Sequence, residues 1–279
     1  MNLILQGAAP LGDEAAAQLA RLARARSSEA LSPNALRLRG AQPFEELADL
    51  CGQLGLDYAF MPEGLKLSDM RVFITDMDST LINIECIDEI ADMNGFKAEV
   101  AMITEAAMRG ELDFSESLRA RVKLLQGLEE SALERVYSER LQLNPGAETL
   151  IARLKAAGVT TALVSGGFTF FTERLKARLG FDHAWANVLE IENGRLTGQV
   201  LGDIVDAQAK ARYLAQLCAQ RQASRDQAIA IGDGANDIEM LMNARIGIAY
   251  RAKPIVREQA SCALNHAGLD GILNLFENN

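Results

Sequence analysis

The chain has 279 residues, of which 49% are hydrophobic and 5% aromatic, with a formal net charge of −10 and a sequence pI of about 4.9. That length and apolar content support a sizeable core, in one large domain or two smaller ones. The acidic balance argues against a nucleic-acid or anionic-membrane surface, since both need a basic face, but it leaves room for a small anionic substrate held by local positive charge.

The first residues, "MNLILQGAAPLGDEAAA", carry no basic leader and only a short apolar run, so no signal peptide is expected, and no apolar run reaches membrane-spanning length. "NLILQG" predicts a strand, "DEAAAQLARLARAR" a helix, "NALRLRG" a half-buried strand, "FEELADLCGQLG" a helix and "LDYAFM" a strand. This βαβαβ order predicts a small N-terminal α+β domain over residues 1–69, closed by the turn and linker "PEGLKLSD".

From Arg71 the pattern changes scale. "RVFITD" reads as a buried strand, and residues 85–141 read as almost wholly helical. Helix then alternates with strand: "AETLIARLKAAG", "VTTALVSGG", "FTFFTERLKARLG". A hairpin, "ANVLEIENGRLTGQVLG", turns at Asn193-Gly194. "DAQAKARYLAQLCAQ" is a helix, "QAIAIGDG" a strand, "NDIEMLMNA" a helix, "RIGIAY" a strand and "PIVREQA" a helix. Alternation of this kind predicts an α/β fold with a doubly wound parallel sheet over 70–279. Cysteines 51, 86, 218 and 262 form no CxxC and no zinc pattern, which fits reduced thiols in a cytoplasmic protein. The two histidines, His183 and His266, have no motif around them, so chemistry resting on a histidine base is not expected.

Three buried strands end in "TDMD", "VSGG" and "GDGAND". In doubly wound sheets ligands bind beyond the carboxyl ends of the strands, so these polar tips are candidates for one site. Asp and Ser are also ordinary turn formers, and the first tip alone fits a plain polar loop equally well. "GDGAND" is a poor dinucleotide fingerprint, because Asp237 takes the place of its last glycine and Asp233 would repel a pyrophosphate. No GxxxxGK[ST] occurs, and "LVSGGF" is not GxSxG. Acids at two tips suit a hard cation instead. Asp76 and Asp233 can each offer a carboxylate oxygen to Mg²⁺, with Asp237 one turn further on. Ser165, Gly166 and Gly167 offer a hydroxyl and backbone N–H groups for phosphate oxygens, although Gly-Gly is otherwise a common turn. Lys210 stands on the helix before the third tip, where an isolated lysine is most often a solvated charge.

"DMDST", "VSGG", Lys210 and "GDGAND", in this order, resemble the haloacid dehalogenase superfamily over residues 75–279. The resemblance implies a Rossmann-like core with a small helical cap at about 85–142. It makes Asp76 the nucleophile, and the second acid, Asp78, points to phosphoryl chemistry rather than dehalogenation. "DMDSTLINIECIDEIA", "ITEAAMRGELDFSESLRARVKLL" and "GDGANDIEML" look like the branch of that family that hydrolyses O-phosphoserine to L-serine, the last step of serine biosynthesis. This implies an aspartyl phosphate on Asp76 and acid–base work by Asp78. Mg²⁺ would be held by Asp76, the Asp78 carbonyl and Asp233, with Asp237 behind. Ser165, Gly166, Lys210 and Asn236 would bind the phosphoryl group. The N-terminal domain is compatible with part of an ACT-like regulatory module, non-catalytic and suited to homodimer contacts or amino-acid binding. Transfer to another alcohol, or binding without turnover, are the rival outcomes of the same motifs.

Phosphoserine also carries an ammonium and a carboxylate. Glu85 follows the nucleophile motif closely enough to overhang it and is the expected ammonium partner. For the carboxylate, Arg119 and Arg121 compete. Leu118, Val122 and Leu125 mark a buried stripe, and Arg121 falls about 60° from it against about 100° for Arg119. Arg121 is therefore expected to reach the cavity, as the resemblance also implies. Met108 and Phe114 are expected to supply apolar walls.

Overall fold

The computed structural model describes residues 1–277, with the side chain of Met108 outside that description. Among the described residues the strands form two sheets, one of four strands and one of seven. No helix among them is long and apolar enough to cross a membrane, and all four cysteines are free and buried.

The smaller sheet is built from β1 (Asn2–Gly7), α1 (Asp13–Leu22), β2 (Ser27–Ser32), β3 (Ala35–Arg39), α2 (Leu47–Leu54) and β4 (Leu56–Met61). Its antiparallel order is β2-β3-β1-β4. The sequence predicts three of these strands, and the structure adds β2, giving βαββαβ, the split ferredoxin-like arrangement. Helix α1 stops at Leu22 rather than running to Arg26, and Arg24 turns the chain with φ +49°. "SSEALS" is a polar, largely exposed edge strand with no apolar alternation, so it carries no periodic signal. Leu3, Leu5 and Leu38 pack against the helices, while Ile4, Ala59 and Met61 on the opposite face join the main core.

The larger sheet has the order β11-β10-β9-β5-β6-β7-β8. Its strands are β5 (Val72–Thr75), β6 (Thr160–Phe168), β7 (His183–Glu192), β8 (Arg195–Leu201), β9 (Ala228–Gly232), β10 (Ile246–Tyr250) and β11 (Cys262–Leu264). All neighbours are parallel except β7 and β8, the hairpin closed at Asn193-Gly194, where both residues have positive φ. Val72 and Ile74 face one core and Phe73 the other, which is why "VFIT" reads as a continuous apolar run. Helices α7 (Ala147–Ala156) and α8 (Thr169–Leu179) cover one face, and α9 (Ala207–Gln220) and α10 (Ile238–Met242) the other. Between β5 and β6 stand α3 (Cys86–Met93), α4 (Lys97–Met108), α5 (Phe114–Leu124) and α6 (Ser131–Glu139). Strand β5 is hydrogen-bonded to β6 on one side and β9 on the other. Their carboxyl ends therefore meet at the switch in strand order.

Strand β11 and a 3-10 turn at Leu269–Leu275 have no counterpart in the sequence reading. They join the two sheets. Asp57 on β4 accepts N–H bonds from Asn265, His266 and Ala267 at 2.7–3.2 Å. Arg37 on β3, 1% exposed, donates to the carbonyls of Asn274 and Phe276.

Candidate active site

Strand β5 delivers Asp76, whose N–H still bonds the carbonyl of Ile231 on β9. The backbone then curls. The N–H groups of Thr80, Leu81 and Ile82 all point at the Met77 carbonyl, and Ser79 takes φ +54°. This turn sends Asp76 and Asp78 in different directions. Asp78 Oδ1 accepts from the Cys86 N–H at 2.9 Å, so the carboxylate caps the start of α3. Its Oδ2 accepts from the Ser165 hydroxyl at 3.1 Å.

Strand β6 ends at Ser165, Gly166 and Gly167. A Cβ on Gly166 would stand 2.7 Å from the Phe114 ring at the start of α5, and one on Gly167 would stand 2.6 Å from Asp78 Oδ2. Both positions thus need glycine for close approach. Asn187 fixes this turn by donating to the Gly166 carbonyl at 2.8 Å, while its own oxygen accepts from the Val205 N–H. Asp206 caps α9 by accepting from Ala209, which sets Lys210 one residue later on the face toward the tips. Lys210 is fully buried and bonds Asp76 at 2.5 Å and Asp237 at 2.7 Å. The other Asp237 oxygen accepts from the Asp233 and Gly234 N–H groups. Thr80 donates to Asp233 at 3.1 Å.

These groups floor a cleft of about 960 Å³. Asp76, Asp78, Glu85, Phe114, Arg121, Ser165, Gly166, Asp233 and Asn236 all line it, while Lys210 and Asp237 lie buried beneath. Arg121 is half-buried in the cleft and Arg119 is exposed outside it. A capping box between Asp113 and Glu116 starts α5 and so presents Phe114 and Arg121. Met108 ends α4, and its side chain lies outside what is described. Thr80, Asn187, Ser79 and Asp88 also belong to the arrangement and were not singled out from sequence. Asp88 alone had an available signal, since it follows Glu85 by only three residues, just inside the helix that Glu85 leads into.

The electrostatics are those of crowded acids, with Asp76 and Asp78 buried, Asp233 partly so and Glu85 still open to solvent. Burial raises Asp76 well above the ordinary carboxylate range, against the pull of Lys210, and Asp237, Asp233 and Asp78 add to the rise. Burial also raises Asp78, against its bonds from Cys86 and Ser165. Asp233 is pushed to about 6 by burial and by Asp237. Glu85 is pushed to about 8 by burial and by Asp78, although the Ser79 hydroxyl bonds it at 2.7 Å. Burial alone would lower Lys210, but Asp237 and Asp76 outweigh it and hold the ammonium charged.

One lysine does not balance this many acids. Asp76, Asp233 and Asp237 bring carboxylate oxygens within 4.8 Å of one another, an all-oxygen set that fits a hard divalent cation. Both Asp237 oxygens are already engaged, which leaves Asp76 and Asp233 as the open donors. The Asp78 carboxylate stands outside the cluster.

A doubly wound sheet with a helical insert after its first strand, and acids at its switch point, defines the class. A family model described as haloacid dehalogenase-like hydrolase matches residues 73–242, and the chain belongs to that family. A second, a domain of unknown function (DUF4072), matches residues 3–47. Within the hydrolases the chain stands among the phosphoserine phosphatases. That of Polaromonas sp. strain JS666 is 55% identical over 218 residues, covering 76% of this chain and 92% of the relative. The unliganded crystal structure of a probable phosphoserine phosphatase from Vibrio cholerae matches with TM-score 0.86 and 39% identity, covering 99% of this chain and 86% of that one. A phospho-aspartyl intermediate analogue of phosphoserine phosphatase matches with TM-score 0.69 and 40% identity, covering 75% of this chain and 99% of that one.

Proposed function

We propose that this chain hydrolyses O-phospho-L-serine to L-serine and inorganic phosphate, with Mg²⁺ as cofactor. One observation carries the reading: the Asp76–Asp78 pair shares a single cleft with an acid, Glu85, and an unpaired guanidinium, Arg121. The Arg121 Nε makes a 3.4 Å contact to the Ser117 carbonyl, and its terminal nitrogens have no protein partner among the described residues. A phosphate ester that also bears an ammonium and a carboxylate matches that set.

Asp76 attacks phosphorus and the bond to the seryl oxygen breaks, giving an aspartyl phosphate and splitting one hard displacement into two. Asp78, which its burial favours in the protonated form, gives its proton to the leaving seryl oxygen. The resulting carboxylate takes a proton from the water that attacks the aspartyl phosphate, and Asp76 is released. Lys210, the Ser165 hydroxyl, the Gly166 N–H and Asn236 stabilise charge on the phosphoryl oxygens. Mg²⁺ would be held by the Asp76 and Asp233 carboxylates and the Asp78 carbonyl, with Asp237 supporting from behind. When bound, it supplies positive charge to phosphoryl oxygens and acids alike. Glu85 receives the ammonium, Arg121 the carboxylate, and Phe114 over Gly166 excludes water.

Residues 70–279 would form the catalytic unit, with its cap at 85–142, and residues 1–69 an ACT-like regulatory unit suited to homodimer contacts. Its βαββαβ order supports that reading. Free, buried cysteines support a cytoplasmic location. The test is phosphate release from O-phosphoserine and from ethyl phosphate, with and without Mg²⁺. Strong preference for O-phosphoserine and dependence on the cation are expected. Equal rates on the two esters would refute the substrate assignment.

A further inference from the structure

Asp88 sits in the first turn of α3, three residues after Glu85, the extended residue that leads into the helix, and both acids face the same cleft. Its Oδ1 is buried and has no hydrogen-bond partner among the described residues. A buried carboxylate oxygen left unpaired is destabilising, so its retention in a cleft calls for a partner that arrives from outside. Arg121 is the cation that acts most on Asp88, yet no ion pair within 4.0 Å joins them.

The substrate supplies what is missing. In an α-amino acid the ammonium and carboxylate are bonded to the same carbon. The acid that receives the ammonium must therefore stand beside the guanidinium that grips the carboxylate. After burial itself, Asp88 is the strongest influence on Arg121, ahead of Glu85 and Asp78. An ammonium also has three donors to satisfy. Glu85 Oε1 already accepts from Ser79, so Glu85 alone does not complete the set.

We propose that Asp88 and Glu85 together receive the α-ammonium of the substrate beside Arg121. The inference rests on the phosphoserine reading above. It favours phosphate esters with a free amine over those without one. A phosphoserine inside a peptide, whose amine is an amide, is disfavoured.

Four esters separate the groups: O-phosphoserine, phosphoethanolamine (ammonium only), 3-phosphooxypropanoate (carboxylate only) and ethyl phosphate (neither). With Asp88→Asn, kcat/KM should fall roughly 10- to 100-fold on the two ammonium esters and stay within about 2-fold on the other two. Asp88→Ala, which removes the carboxylate outright, should repeat that pattern. Both variants should melt at or above the wild-type temperature, because each removes an unpaired buried charge. Loss on 3-phosphooxypropanoate equal to that on O-phosphoserine would mean that Asp88 acts through Arg121, and would overturn the proposal. So would a variant that keeps full turnover of phosphoethanolamine, or a lowered melting temperature with equal loss on all four esters. A wild-type enzyme that treats all four alike would overturn the phosphoserine reading itself. A wild-type preference kept intact by the variants overturns only the role of Asp88.

Discussion

Lys210 and Asp76 lie 134 residues apart in the chain and meet in a 2.5 Å ion pair, with Lys210 fully shielded from solvent. A lysine this dry is stable only because Asp76 and Asp237 both compensate it. The pair therefore serves folding and chemistry together. It neutralises part of the acid cluster at rest, and it presents a fixed positive charge where phosphoryl oxygens would arrive.

Lys210→Met should accordingly damage both. Turnover should fall by about 10³-fold or more, as for loss of a preorganised charge at the reacting group. Stability at pH 8 should fall by roughly 3–5 kcal/mol, since buried acids lose their partner. The loss should shrink as pH is lowered from 8 to 5, because burial raises Asp76 and an acid that takes up a proton needs no cation. Urea unfolding at the two pH values checks the difference, and an unchanged loss at pH 5 would contradict it.

Asp76→Asn should keep the fold, with Asp237 still paired to Lys210 and some stability lost, and should lower turnover by about 10⁴-fold or more, because an amide is a poor nucleophile toward phosphorus. Asp78→Asn should still form the phosphoenzyme slowly and hydrolyse it poorly. Rapid quenching followed by mass spectrometry reads the outcome. A phosphoryl group found on any residue other than Asp76 would sink the assignment.

The strand tips were legible because each is a local pattern: an apolar run, then acids or glycines. The helices between β5 and β6 were legible as helices, and the place of Arg121 in the cleft from its angle to the Leu118, Val122 and Leu125 stripe, all of which are buried. What escaped depends on distant partners. Asn187 is one polar residue in a hairpin until Gly166 and Val205 are brought to it. Strand β2 has no apolar face to announce it. Asp57 reads as an ordinary strand-end acid, and only the folded chain gives it the N–H groups of Asn265, His266 and Ala267.

The acid cluster fixes the pH response of the cation-free protein. Glu85 rises from 4.5 to about 8 and Asp233 from 3.8 to about 6 on folding. Between the unfolded and folded values the native state binds more protons, so stability falls as pH rises from about 4 to 8. Glu85 is solvent-exposed and its part is screened, so most of the fall should come from Asp233 and the buried acids beside it. If Mg²⁺ is held by Asp233 and Asp76 as proposed, it would compete with protons there, so its stabilisation should be larger at pH 8 than at pH 5. Melting temperatures with Mg²⁺ or EDTA at both pH values test this; equal shifts would speak against a carboxylate site.

Arg121 and Arg119 offer an internal control for specificity. Arg121→Lys keeps the charge but loses the planar fork that can pair a carboxylate through two bonds. It should lower kcat/KM on O-phosphoserine roughly 10- to 100-fold and leave ethyl phosphate little changed. Glu85→Gln should do likewise. Arg119→Lys, exposed outside the cleft, should be mild on both esters. Equal damage to both esters by Arg121→Lys would assign it to phosphate binding or to cap folding instead.

The N-terminal sheet poses a separate question, because no catalytic motif lies before residue 71. On sequence alone a chain beginning at Ser68 should keep activity. The structure gives the sheet a further task. Ile4, Ala59 and Met61 belong to the main core, and Arg37 and Asp57 satisfy backbone groups of the C-terminal segment. Removing the sheet would expose that core and leave Asn265, Ala267 and Phe276 without their partners. A chain beginning at Ser68 is therefore expected to aggregate or melt far below the full chain. Asp57→Ala isolates the docking term without exposing the core. It should cost about 2–4 kcal/mol, or roughly 5–15 °C in melting temperature, by stranding buried N–H groups. Its kcat should be unchanged at a temperature where it remains folded, since Asp57 lies on β4 and does not line the catalytic cleft. A folded Asp57→Ala protein with reduced kcat would show that docking of the N-terminal sheet shapes the active site as well as supporting it.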